Sequence, residues 1–279
     1  MSHEGDFCGS LAVLETEDGN HVAAFKDTLS TCSEYFDALF NRPLSSKQRD
    51  VYKIPGIAKS CLTAIVRYAN SRETNINKEN VDVLLEAADQ FLVLGLQRHC
   101  CEFLAQNMGV ENCVRTLAFT HTFWLPQLRT KAHRFVLDNF EQVYLQCPDF
   151  GEIMLEDMIH LLAPDELKVR REETIWEASM SWLNVDLHNR KQYLASLLPH
   201  VRFWLMKSIY VKRTVLKNRL LNRDVREGIA IKCRLKRASS GSPFLDLPTP
   251  RIPSDIMFVY GGIHCSYKSN TWEVYDYKM

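Results

Sequence analysis

The spacing of apolar residues changes along the chain, from short runs typical of strands to the three- and four-residue period of helices. Apolar stretches at residues 11–14 and 22–25 flank a turn sequence at 17–20, and together they predict a β-hairpin over residues 7–25. A further run at residues 51–55 predicts a short strand that ends at its proline.

Helical spacing predicts the rest of the first 100 residues. Ser33 is placed to cap a helix that carries Phe36, Leu39 and Phe40, and Asn77 is placed to cap a longer helix that Gly95 ends. The apolar positions of the remaining predicted helices are Cys61, Leu62, Ile65, Val66 and Ala69, then Val81, Leu84, Leu85, Ala88 and Leu92, then Leu96, Cys100, Phe103 and Leu104. Strands and helices in this order predict an α+β domain.

Residues 106–235 carry helical patterns joined by short loops, which predicts an all-α region. The clearest pattern is at residues 165–183, where Ile175, Ala178 and Trp182 recur at helical spacing. Glu172 and Glu173 stand before them, in the first turn, where the helix dipole favours negative charge. We therefore expect this acidic pair to cap the helix rather than to catalyse.

Composition limits the function. The 279 residues carry 34 basic and 34 acidic side chains, so no overall field attracts nucleic acid or a membrane. No apolar run approaches the roughly 20 residues that a membrane span needs, and no secretory leader pattern opens the sequence. The nine cysteines include no CxxC pair, which predicts reduced thiols packed as small hydrophobes in a cytoplasmic protein.

Sequence motifs for chemistry are missing from the chain. No Walker, Rossmann, GxSxG or HExxH pattern occurs. Cys113 and His121 are expected to be a packed thiol and a surface imidazole rather than a nucleophile and its base. We therefore expect a binding protein with no metal and no cofactor, and not an enzyme.

The stretch 207–237 is strongly basic, with eleven Lys and Arg against Asp224 and Glu227. Such a stretch can contact nucleic acid or act as a nuclear signal. However, Val215 and Leu216 interleave with the charges at helical spacing, and Tyr210 is the one aromatic residue there. A solvated helix face is the favoured interpretation, and a nuclear or nucleic-acid-associated factor is the alternative.

The last 44 residues change character again. Four prolines with Ser and Gly make residues 236–254 a predicted linker, which we expect to leave the C-terminal residues uncoupled from the helical region. Residues 256–260 then predict a strand followed by Gly261 and Gly262, and a second strand extends through Trp272 to Tyr277.

Three groups of residues together resemble the kelch-like family, whose members join a BTB domain, a BACK domain and a Kelch propeller. The BTB likeness rests on residues 32–40, 87–91 and 100–104, and the BACK likeness on residues 165–183 and 197–202. The Kelch likeness rests on Gly261, Gly262, Asn270, Glu273, Tyr275 and Asp276. The resemblance implies a BTB domain at 7–105 without the family's usual leading helix, a BACK domain at 106–235, a linker at 236–254 and an incomplete first Kelch repeat at 255–279.

The resemblance also implies a function, that of an adaptor bridging cullin-3 to a substrate for ubiquitination. The implied cullin-binding positions are Asn41, Arg42, Leu44, Ser46 and Asn70, together with the first BACK helices. Leu44 keeps the family's apolar anchor. Ser46 stands where many members have an acid, and Asn70 stands where a tyrosine is usual, so weak cullin binding is expected.

The same resemblance implies a BTB homodimer or heterodimer. Two of the implied contact positions depart from the family, since Gly9 stands for an aspartate and Phe25 for a histidine. The substrate is not implied, because substrate choice in the family belongs to the propeller, of which two strands are predicted here. A form that competes for cullin without delivering a substrate is therefore expected, with no nucleic-acid or membrane partner.

Overall fold

The chain divides into two compact units, Met1–Met108 with Thr122–Leu128, and Gly109–His121 with Arg129–Met279. The computed structural model describes residues 10–41, 51–238, 251, 256–264 and 267–276, with side chains for residues 10–41, 51–234 and 251. Within these ranges, no helix has the length and apolar content needed to cross a membrane.

The first unit contains a three-stranded sheet of order β2-β1-β3. Strands β1 (Leu11–Thr16) and β2 (His21–Phe25) form the predicted hairpin, and their turn is closed by the Thr16 N–H, which donates to the Asn20 carbonyl at 2.9 Å. Strand β3 (Val51–Ile54) lies parallel to β1 on its other side. Alternate β1 residues are buried, as expected for a sheet with one face against a core.

Five helices lie wholly within the described residues of the first unit. They are α1 (Lys26–Cys32), α2 (Glu34–Asn41), α3 (Lys59–Ser71), α4 (Val81–Gln90) and α5 (Leu94–Gln106). Helices α1 and α3 contact the sheet at β2. The α+β prediction is confirmed, while α1 has no counterpart in the predicted elements. Its sequence, KDTLSTC, contains one buried apolar side chain, Leu29, so it has no apolar periodicity from which a helix could be predicted.

The structure corrects the predicted role of Gly95. Helix α4 ends at Gln90, and the chain turns at Leu92, whose φ is 52°. Gly95 lies in the first turn of α5, where a Cβ would stand 1.9 Å from the Tyr68 hydroxyl oxygen. The glycine therefore permits close packing between α3 and α5, and it does not end a helix.

The second unit is helical up to Ala238, which confirms the predicted all-α region. Its helices are α6 (Cys113–Thr122), α7 (Pro126–Asp138), α8 (Phe140–Gln146), α9 (Leu155–Leu162), α10 (Glu172–Val185), α11 (Leu187–Arg190), α12 (Leu194–Leu197), α13 (Ser208–Tyr210) and α14 (Arg223–Ala238), with a π-helical turn at Val211–Val215. Ends of α6 and α7 belong to the first unit.

Helix α10 is the buried centre of this unit. Ile175, Trp176 and Trp182 are each at most 2% exposed. The Trp182 indole N–H donates to the Ile153 carbonyl at 2.7 Å, and the Arg190 guanidinium lies 4.3 Å from the centre of the Trp182 ring. Apolar burial therefore comes with satisfied polar groups, as a packed core requires.

The C-terminal strands β4 (Ile256–His264) and β5 (Tyr267–Asp276) pair antiparallel as a hairpin. The pairing register shifts between Tyr260 and Gly262, which is the signature of a β-bulge. Gly261 and Gly262 thus lie inside β4 and do not follow it, in contrast to the predicted strand end.

Candidate functional site

Helix α2 is held rigidly at its start. The buried Ser33 hydroxyl accepts the Phe36 N–H at 3.1 Å as an N-cap, as predicted, and it donates to the Phe91 carbonyl at 2.6 Å. Phe36 is fully buried and stacks on Phe40 and Phe91 with ring centres 6.0 and 5.8 Å apart. These contacts fix the direction of α2 and therefore the position of its last residue, Asn41.

Two of the predicted cullin-binding positions lie at exposed helix ends of the first unit. Asn41 ends α2, and its amide donates to Asp37 Oδ1 at 2.7 Å. Asn70 lies one residue before the end of α3, on the solvent side. The other three positions, Arg42, Leu44 and Ser46, lie outside the described residues, in the segment that joins α2 to β3.

The end of α3 beside Asn70 is well defined. Arg72 adopts φ 58°, and its N–H donates to the Tyr68 carbonyl at 2.8 Å, which is a left-handed helix cap. The Arg72 guanidinium lies 5.9 Å from the centre of the Tyr68 ring. The surface next to Asn70 is therefore polar and fixed, without an aromatic side chain at position 70.

The predicted dimer-contact residue Phe25 lies at the end of β2 with 40% of its surface exposed, while Gly9 lies outside the described residues. Phe25 on β2 is directly opposite Leu11 on β1, and Val51 on β3 lies beside Val13 on β1. Leu11 and Val51 are 55% and 44% exposed. The outward face of the sheet therefore presents an apolar patch, Leu11, Phe25 and Val51.

The residues that carry the Kelch likeness are all on the C-terminal hairpin. Gly261 and Asn270 lie at the bulge, and Gly262 pairs with Ser269. Glu273, Tyr275 and Asp276 pair with Val259, Met257 and Ile256 along the ladder. Their assignment to half of a Kelch blade stays a prediction.

The acidic pair at the start of α10 has a different role from the predicted cap. The N-cap residue of α10 is Arg171, which makes no side-chain capping bond. Both residues are 6% exposed. Their carboxylates bind backbone amides further along the chain: Glu172 accepts the Arg202 N–H at 2.9 Å, and Glu173 accepts the Lys207 N–H at 2.9 Å. The pair therefore fixes the loop at residues 201–207 against α10.

Most charged side chains of the basic stretch are exposed over the part that the structure describes, while Arg226 is partly buried and donates to the Asn218 carbonyl at 2.8 Å. Lys212, Arg213 and Lys217 are exposed, whereas Val211 and Val215 are at most 4% exposed. This arrangement matches the solvated helix face that the apolar interleaving favours, since Val211, Val215 and Leu221 are buried in the second unit. Ile209 and Ile231 are more than half exposed.

Burial disfavours ionisation of the Cys100 and Cys113 thiols. Desolvation raises the pKa of Cys113 to about 12, and it raises the pKa of Cys100 to about 12. A thiol must ionise to act as a nucleophile, so neither is activated. No group of three or more potential metal-binding side chains occurs among the residues with described positions.

His121 is not the free surface imidazole that the sequence suggests. Its Nε2 lies 2.7 Å from Asp157 Oδ2, and Arg129 Nη2 lies 2.8 Å from Asp157 Oδ1. Asp157 is 1% exposed. The three side chains form a partly buried polar network that ties α6, α7 and α9 together, and Cys113 takes no part in it.

Comparison with known families matches this fold in two consecutive parts. The BTB/POZ domain family model matches residues 2–108, and the "BTB And C-terminal Kelch" (BACK) family model matches residues 113–216. A BTB domain followed by a BACK domain is the order that the kelch-like likeness implies.

Curated proteins similar to this chain are named kelch-like proteins. Kelch-like protein 3 of Homo sapiens is 29% identical over 217 residues, which is 78% of this chain and 36% of that protein. Kelch-like protein 28 of Mus musculus is 32% identical over 203 residues, 73% of this chain and 35% of that protein. A solved BTB domain of human Gigaxonin is 26% identical, covers 33% of this chain and 75% of that chain, and gives a TM-score of 0.30.

The chain belongs to the BTB-BACK-Kelch family, and it spans about a third of the length of the curated relatives it matches. Proteins of this family are adaptors rather than enzymes. From residues 51–57 and 189–192 we also predict a finer likeness to kelch-like protein 10.

Proposed function

We propose that the chain is an adaptor-type binding protein that contacts cullin-3 through its BTB part, with a contribution from helix α6. The observation that carries the proposal is the exposure of Asn41 and Asn70, at the ends of α2 and α3, where the family places its cullin contacts. The buried anchors of α2 support it, because a fixed helix end lowers the cost of ordering an interface.

The expected affinity is low. Asn70 offers a short polar side chain where the family has a tyrosine, and tyrosine is among the residues that dominate interface energies. Ser46 removes a charge at a second position, so the apolar side chain of Leu44 carries the largest share of the proposed contact. Truncation of such a central anchor typically costs about 2 kcal/mol or more, which is about 30-fold in affinity.

A binding titration of the full chain against the cullin-3 N-terminal domain tests the proposal. Leu44→Asp should weaken binding by about 30-fold or more. Leu94→Asp is the matched control, because Leu94 is 60% exposed at the start of α5 and is not a proposed contact. Asn70→Tyr should strengthen binding. Equal affinity of the wild-type and Leu44→Asp proteins would refute the assignment of the site.

Self-association through the apolar sheet patch is the second part of the proposal. BTB domains pair at the family level, and Leu11, Phe25 and Val51 expose apolar side chains that pairing would cover. Multi-angle light scattering should show a mass that rises with concentration, and Phe25→Glu should shift it toward the monomer. A mass unaffected by Phe25→Glu would place the association elsewhere.

The proposed place of action is the cytoplasm, where cysteines remain reduced. Nucleic-acid binding through residues 207–237 is the competing function. Salt-dependent retention of the chain on DNA, lost on neutralising Lys212 and Arg213, would favour it over the adaptor. We expect no such retention, since the one aromatic side chain of the stretch, Tyr210, donates its hydroxyl to Glu177.

A further inference from the structure

Arg251, from the proline-rich segment, inserts its guanidinium into the second unit. The Nε and Nη2 groups donate to the two carboxylate oxygens of Glu172 at 3.0 and 3.1 Å, which is the bidentate arrangement of an arginine on a carboxylate. The two side chains are 4% and 3% exposed. The pair links residues 79 positions apart in the sequence.

Three backbone carbonyls complete the surroundings of this guanidinium. Nη1 donates to the carbonyls of Leu162 and Pro164, both at 2.8 Å, and Nη2 also donates to the His200 carbonyl at 3.0 Å. A guanidinium has five N–H donors, and these five bonds use all of them. We call Glu172 and the three carbonyls, of Leu162, Pro164 and His200, the arginine cradle.

The cradle is suited to a cation by its construction. Leu162 is the last residue of α9, where a carbonyl has no partner inside the helix and where the helix dipole places partial negative charge. Glu172 is buried and is fixed by the Arg202 N–H at 2.9 Å. A buried carboxylate without a cation is strongly unfavourable, so the site requires a partner of opposite charge.

The cradle also distinguishes arginine from lysine. Its acceptors surround a planar group, with the carboxylate along one edge and carbonyls along the others. Lysine is a compact point charge with three donors, so it cannot match a bidentate carboxylate and three separate carbonyls at once.

We propose that the arginine cradle is a peptide-docking site whose ligand is the arginine of the segment that precedes the C-terminal hairpin, with Arg251 bound from the same chain. Docking at this point confines the start of that hairpin. Ile256, the start of β4, is five positions after Arg251, so the two Cα atoms lie within about 18 Å of each other. The predicted uncoupled linker is therefore wrong at Arg251, because one of its residues is bound.

Hydrogen exchange in the full chain tests whether Arg251 is docked. Arg251→Ala and Arg251→Lys should both speed exchange of the Arg202 amide, whose acceptor Glu172 loses its fixed position, by at least about tenfold. Arg234→Ala is the matched control, since it removes one exposed arginine from the same unit and should leave that amide unchanged. An Arg202 amide that exchanges as slowly in Arg251→Ala as in the wild type would overturn the proposal. The same slow exchange in Arg251→Lys would overturn the preference for arginine, since charge alone would then be recognised.

Binding of a separate peptide tests whether the cradle is a ligand site. A fluorescent peptide of residues 246–254 should bind the Arg251→Ala chain, and the same peptide with Arg251→Lys should bind at least about tenfold more weakly. The wild-type chain should bind neither, because its own arginine occupies the cradle. Equal binding of the two peptides, equal binding to the two proteins, or no binding to the folded Arg251→Ala chain would overturn it.

Two further arrangements keep the test decisive. If circular dichroism shows that Arg251→Ala does not fold, the Arg251→Lys chain serves as the host for the peptide. If the protection of the Arg202 amide in the wild-type chain falls on dilution, the bound arginine comes from a second copy, and docking within one chain is refuted.

Discussion

Replacing Ser33 by alanine removes one hydroxyl that makes two hydrogen bonds in the core of the first unit. Loss of an N-cap serine costs about 0.5–2 kcal/mol. The Phe91 carbonyl, left without its donor in a buried site, costs about a further 1–3 kcal/mol. The middle of the summed range predicts that Ser33→Ala lowers the free energy of unfolding of this unit by about 3 kcal/mol.

Amide hydrogen exchange within α2 is the suitable measurement. All five tryptophans lie beyond residue 108, so their fluorescence does not report on most of the first unit. A loss of about 3 kcal/mol corresponds to roughly 100-fold faster exchange from the opened state, seen at the Phe36 amide and its neighbours. The opening of α2 would also disorder Asn41, so cullin binding should weaken in the same variant.

Two controls separate this cause from a general effect of hydroxyl removal. The Thr31 hydroxyl donates to the Asp27 carbonyl at 2.7 Å on the exposed side of α1, so Thr31→Ala should change stability by less than about 0.5 kcal/mol. Ser33→Thr keeps the hydroxyl and should retain most of the stability. Exchange in Ser33→Ala within about fivefold of wild type would refute the reasoning, since both bonds would then be worth little.

Three other changes have defined outcomes. Gly95→Ala should destabilise the first unit by about 1–2 kcal/mol in thermal unfolding, and Tyr68→Phe should relieve part of that loss; stabilisation by Gly95→Ala would contradict the close contact. Trp182→Phe leaves the Ile153 carbonyl without its donor and should cost about 2–4 kcal/mol in urea unfolding, whereas an unchanged midpoint would refute the role of that bond. Because its folded pKa is raised, Cys113 should stabilise the second unit below pH 9, lose that contribution as pH rises toward 12, and resist alkylation at pH 8; rapid alkylation of the folded protein would contradict its burial.

The sequence by itself determined the elements whose pattern is local. The hairpin β1–β2 follows from alternation around a turn, and α10 follows from apolar residues at helical spacing, because both signals extend over a few neighbouring residues. The cap at Ser33 was also predictable, since a capping serine lies three residues from the amide that it accepts. The succession of these elements is what carried the family likeness.

Tertiary structure alone decided the roles that depend on distant partners. The residues around Gly95 do not indicate its contact with Tyr68, and those around Glu172 do not indicate its hydrogen bond with the Arg202 amide. Arg251 stands in a composition typical of linkers, yet it is bound because α9, α10 and the loop at His200 place one carboxylate and three carbonyls around a single point. A periodic pattern specifies which face of an element is buried, whereas the partner of a buried charge is specified only when the packed elements meet.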